Sequence, residues 1–206
     1  MLDGGRVLET GRSQLLGRMA STSPDLWSKE DRVAWTEPQY HTPPGQVRRF
    51  GSDFAMEPRG TTLSPADTTF GLRSSRAAGG LSNLWGSAIL PYRSADLADW
   101  PITASDLAPH YSALAEFLPL AGEADSLDHL FDSAPRANQS KLAASPQGEV
   151  LLQKFRSVEA NLRTLGISAG KARQAVANGC RQCGMCLHGC PWGLIWSDRS
   201  IIPNLQ

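Results

Sequence analysis

The chain has 206 residues, enough for one or two domains with a substantial core, and Lys plus Arg balance Asp plus Glu at 20 each. That balance leaves no basic excess of the kind that grips nucleic acid, and no acidic tail. Hydrophobic content is 41%, while 19 glycines and 14 prolines imply many turns, so the composition reads as a globular, loop-rich chain.

No apolar stretch approaches the length that spans a bilayer. The opening Met1-Leu2-Asp3-Gly4-Gly5-Arg6 lacks the charged start and apolar run of a signal peptide. A cytoplasmic protein is therefore expected. Leu2 to Gly5 has the look of a strand end closed by an acid and glycines, where a dinucleotide-binding unit bonds a ribose about 20 residues after its glycine loop. No G-x-G-x-x-G follows a strand in this chain. An ordinary turn with a solvated aspartate is the alternative.

Residues 11 to 20 read as a short helix, and Ser28-Lys29-Glu30-Asp31 starts another with an N-cap and acids in its first turn. From Thr36 to Thr69 prolines and glycines recur too often for long regular elements, leaving Tyr40, Val47 and Phe50 as short-strand or loop anchors on a surface. Arg48-Arg49 and the arginines at 73 and 76 read as solvated charge. Ala77 to Gly86, Ala-Ala-Gly-Gly-Leu-Ser-Asn-Leu-Trp-Gly, is a track of small residues that lets backbone amides approach a planar or phosphorylated ligand. A plain turn is the competing reading.

Thr103 and Asp106 make a capping box for a helix over about 105 to 118, with Leu107, Tyr111, Leu114 and Leu118 as a core-packing stripe. Residues 122 to 145 turn polar, with Leu127, Leu130 and Phe131 as short contacts. Ser145-Pro146 opens a longer helix carrying Leu151, Phe155, Val158, Leu162 and Leu165, with Gly166 placed to end it. Ile167 to Ala177 reads as a strand that carries Lys171 and Arg173 toward the cysteines. The expected organisation is 1–121, a polar excursion at 122–145, and a helix with a cysteine-rich segment at 146–206.

All four cysteines fall in Cys180, Cys183, Cys186 and Cys190, followed by Pro191, in the spacing C-x2-C-x2-C-x3-C-P of ferredoxin loops. In two-cluster ferredoxins the fourth cysteine serves the other cluster, and this chain has no second run. Cys190 then completes a four-iron cluster, three thiolates hold a three-iron one, or there is no cluster. Zinc sites commonly pair two knuckles a dozen or more residues apart, and disulfides want a secretory context. Both remain as alternatives, as do plain thiols.

Three pieces in order resemble the glucose–methanol–choline family of flavin-dependent oxidoreductases. Leu2-Asp3-Gly4-Gly5 is similar to the end of the second strand of its FAD-binding unit. Gly79 to Gly86 looks like the loop along the flavin and its pyrophosphate, followed by Trp100-Pro101 and the Leu107-x-Pro109-x-Tyr111 helix. Cys180 to Gly193 is similar to the C-x2-C-G-x-C-x2-G-C-P-x-G segment of one bacterial subgroup. The resemblance implies a partial FAD/NAD(P)-binding α/β fold within an α+β chain, with 1–121 as the partial FAD-binding domain.

It implies Asp3 as the ribose contact and Gly79, Gly80, Leu81, Ser82, Asn83, Trp85 and Gly86 as contacts of the flavin loop. The four cysteines become ligands of a [4Fe-4S] or [3Fe-4S] cluster. The activity implied is oxidation of an alcohol or sugar by hydride transfer to FAD, with electrons leaving to an acceptor protein or quinone. The family's phosphate loop and its proton-accepting histidine would lie before Met1 and after Gln206. His41, His110 and His188 do not match the catalytic motif, so no catalytic residue is assigned and the fragment itself is expected to be inactive. A ferredoxin-like electron-transfer module without flavin is the principal alternative, and a zinc-stabilised interaction domain the third.

Overall fold

The computed structural model describes residues 5–37, 48–56, 75–84, 86–131 and 142–201, which form a loop-rich α+β chain. Asp3, Trp85, Tyr40 and Val47 lie outside the described residues. The chain divides into two compact units, Met1–Gly86 with Cys183–Gln206, and Ser87–Gln182. The boundaries read from sequence at 121 and 145 both fall inside the second unit. Among the described residues no helix is long and apolar enough to cross a membrane.

In the first unit α1 (Thr10–Ala20) and α2 (Lys29–Thr36) stand where the sequence places them. The Ser28 hydroxyl accepts the Asp31 amide, and Glu30 and Asp31 occupy the positive end of α2. Leu15 and Met19 of α1 and Trp35 of α2 are buried together with Leu8, Trp27, Phe50, Phe54 and Ala77. The last carbonyls of a helix have no partner within it. Here two indoles supply donors, Trp27 Nε1 to Met19 O and Trp192 Nε1 to Ala20 O, each at 2.9 Å. The rings of Trp27 and Trp192 stack at 5.7 Å, and Trp35 meets Trp27 edge-on at 5.4 Å.

The first α-helix of the second unit is α3 (Ala104–Phe117), whose capping box is the expected one: Asp106 N–H donates to the Thr103 hydroxyl, and Thr103 N–H donates to the Asp106 carboxylate. Next, β1 (Leu120–Ala121) pairs antiparallel with β2 (Gln174–Ala175), and an isolated bridge joins Ala88 to Gln174. The extended reading of 167–177 thus contracts to two strand residues. The helix expected over 146–165 is two, α4 (Pro146–Ser157) and α5 (Glu159–Thr164), broken at Val158 with φ −122°. Ser157 Oγ bonds back to Lys154 O, and a β-branched residue follows, a pair that favours leaving the helix. Gly166 then closes α5 at φ +71°, with Ile167 N–H reaching Leu162 O in a Schellman turn.

The polar stretch after 121 is tied into this unit by charge. Lys171 Nζ lies 2.8 Å from Glu123 and 3.4 Å from Glu149, and Arg173 Nη2 lies 2.8 Å from Asp125 and 2.7 Å from Asp128. Gly170 leaves room for the Asp125 carboxylate, which a side chain there would displace. Burial pushes the Asp125 carboxyl up, but hydrogen bonds from Arg173 and from the Leu127 and Lys171 amides outweigh it, leaving its pKa below the usual range.

A carboxyl depressed on folding stabilises the protein above its unfolded pKa, about 4, and that stability is lost as pH falls through the folded value. Acid titration followed by circular dichroism should therefore show Asp125→Asn with a smaller loss of stability below about pH 4 than the parent chain. Trp35 is fully buried, and its indole N–H has no hydrogen-bond partner among the described residues. Trp35→Ala should cost about 3–5 kcal/mol in urea unfolding. Trp35→Phe should cost much less, since the indole nitrogen it removes has no hydrogen bond to lose.

Candidate cofactor loop and cysteine run

The glycine track is held beside the amino-terminal segment in the first unit. Arg6 forms a parallel bridge with Ala77, through Arg6 N–H to Arg76 O at 3.0 Å and Ala78 N–H to Arg6 O at 2.9 Å. The chain next turns through Gly79 and Gly80, at φ +80° and +56°, into a 3-10 turn over Gly80–Asn83. Only glycine adopts two successive left-handed residues without strain.

The two glycines differ in what faces them. A Cβ on Gly79 would lie 2.5 Å from the Arg199 amide nitrogen, so this glycine lets the Asp198–Ser200 turn pack on the track. A Cβ on Gly80 would meet nothing within 4 Å, nor would one on Gly86, and Leu81 is exposed. The short polar side chains are directed back into the loop. Asn83 Nδ2 donates to Ala78 O and Gly80 O, both at 2.9 Å. Ser82 Oγ donates to Gly79 O at 2.5 Å and accepts Asp198 N–H at 2.9 Å. What the track offers a planar ligand is thus an uncrowded face at Gly80 beside the exposed Leu81, while Ser82 and Asn83 keep its shape.

The cysteine run straddles the two units, Cys180 ending in one and Cys183, Cys186 and Cys190 lying in the other. Each interval between cysteines holds a left-handed residue, Gln182 at φ +52°, Gly184 at +72° and Gly189 at +106°. Cys183 and Cys190 are half-buried, whereas Cys180 and Cys186 are exposed, and no disulfide is present among the described residues. Cys183, Met185 and Trp192 pack on the core of the first unit. Gly189 sits so close to the Phe50 ring that a side chain there would run into it. Among the described residues no three His, Cys, Asp or Glu side chains are gathered where a metal ion could sit.

Reading Arg48-Arg49 as solvated charge misses where these two residues go. Arg48 pairs with Asp53 at 2.8 Å, with 14% of its side chain exposed. Arg49 is only 7% exposed; burial pushes its guanidinium below the usual arginine range, and the charges of Cys186 and Cys190 act in the opposite direction. A buried cation beside two sulfurs is the electrostatic feature of this loop. A dipeptide of arginines in a proline-rich stretch carries no periodicity that could have revealed it. His188, between those cysteines, has a buried Nδ1 without a partner among the described residues.

Comparison of the chain with protein-family models, with curated proteins and with solved structures gives no match. The distinction between the glycines can be tested directly. Gly80→Ala should lose about 1–2 kcal/mol for the left-handed backbone alone. Gly79→Ala adds a backbone collision and should lose roughly 1–3 kcal/mol more, read as a lower urea midpoint.

Proposed function

We propose that this chain forms part of an FAD-dependent oxidoreductase of the glucose–methanol–choline type, acting on the CH–OH group of an alcohol or sugar. The observation that carries the reading is the parallel pairing of Arg6 with Ala77, which sets the segment following Asp3 alongside the glycine track. That segment and that track belong to the two pieces that the resemblance assigns to one cofactor, which are 74 residues apart in sequence at their nearest positions, Gly5 and Gly79. When bound, FAD supplies the hydride acceptor for such an oxidation.

In this reading Asp3 takes the adenosine ribose. Gly80 and Leu81 lie along the cofactor with their backbone, since nothing stands within 4 Å of where a Gly80 side chain would be. Ser82 and Asn83 act by holding the turn, and Arg199 braces Gly79 from behind. The reading also requires a glycine-rich phosphate turn before Asp3 and a proton-accepting histidine beyond the cysteine run, neither of which these 206 residues supply. Among the described residues no three His, Cys, Asp or Glu side chains gather as a metal site, so no electron step is derived through the cysteines. A separate acceptor, protein or quinone, would then reoxidise the flavin.

The test is expression of the intact genomic reading frame, followed by heat release and chromatography of bound nucleotide. One FAD per chain is expected, with bleaching of its absorbance by a primary alcohol or an aldose under anaerobic conditions. A colourless protein that gains no flavin on incubation with excess FAD would overturn the assignment.

A further inference from the structure

The second unit contains a cavity of about 210 Å³ that the flavin reading neither uses nor requires. Its walls are Ile89, Leu90, Leu114, Leu118 and Phe131, and one end is polar, formed by Asp128 and Arg173. Of the stripe expected to pack the core, Tyr111, Leu114 and Leu118 line this space together with Ala115; Ala115 and Leu118 are buried, and Leu114 stands at the rim with 42% exposure. An apolar cavity of about 150 Å³ accommodates benzene, so this one holds a ring and a short substituent.

The polar end selects the substituent. Both terminal nitrogens of Arg173 are committed, Nη1 to Asp125 Oδ2 and Lys171 O, Nη2 to Asp125 Oδ1 and Asp128 Oδ1, at 2.6–2.9 Å. Two carboxylates therefore surround one guanidinium, and the local charge is negative, which disfavours a carboxylate or phosphate ligand. Asp128 gives Oδ1 to Arg173 and has a second oxygen to accept from a donor. A hydroxyl suits that acceptor, and an ammonium group would have to be desolvated among aliphatic walls.

We propose that this cavity binds a small neutral alcohol with an apolar ring or short chain, its hydroxyl donating to Asp128. The ligand is about the size of benzyl alcohol, with its apolar body between Leu118 and Phe131.

Saturation-transfer NMR on the whole chain tests it, with benzyl alcohol, toluene, benzoate and benzylamine as probes. Benzyl alcohol should bind saturably and benzoate should not. Asp128→Asn should weaken benzyl alcohol roughly tenfold while leaving toluene unchanged, the worth of one hydrogen bond to a charged group. Leu114→Trp, at the exposed rim, should abolish binding of both with the circular dichroism spectrum retained. Benzyl alcohol binding that is absent, or unaffected by Leu114→Trp, overturns the site; tighter binding of benzylamine or benzoate overturns the neutral hydroxyl.

Discussion

The first unit depends on how the end of α1 is closed. A helix leaves its last carbonyls without partners inside it, and leaving them unpaired where side chains cover them is costly. Trp27 and Trp192 meet this constraint with their indole N–H groups on Met19 O and Ala20 O, and their stacked rings join the core that Trp35 completes. One of these residues is close in sequence to the helix and the other is 172 residues away, so the same bonds that finish a helix also fasten the end of the cysteine run to it. Arg32 lies over the Trp27 ring at 5.2 Å, adding a cation to its outer face.

Fastening that segment has consequences for both motifs of the first unit. It sets the Asp198–Ser200 turn against Gly79, where only a glycine fits, and Ser197 and Asp198 bond the side chains that shape the glycine track. It also lays the Cys186–His188 turn and Gly189 near Arg49 and Phe50. The glycine track is therefore shaped from behind by residues distant in sequence, and its open side is backbone. That division of labour, polar side chains turned inward and an uncrowded face at Gly80, suits an approach by a flat cofactor.

The second unit is held by a different device. Its sheet is two residues long on each strand, too small to stand alone. A strap of carboxylates, Glu123, Asp125 and Asp128, pairs with Lys171 and Arg173 just before β2. Mutually compensating charge at low exposure lets a polar segment close one end of an apolar cavity. Hence a stretch with the composition of a surface loop is integral to the unit.

The chain's own residues determined whatever is local. Helix starts at Ser28, Thr103 and Ser145, the stop at Gly166 and the need for glycine at 79 and 80 were all legible, because a cap or a turn is settled by atoms within a few residues of one another. Tertiary structure alone decided the burial of Arg49, the pairing of Lys171 and Arg173 with the acids of 123–128, and the cavity along α3. Each of these depends on partners tens of residues away or on volume left unfilled between elements, and neither quantity has a period or a spacing for a sequence to display.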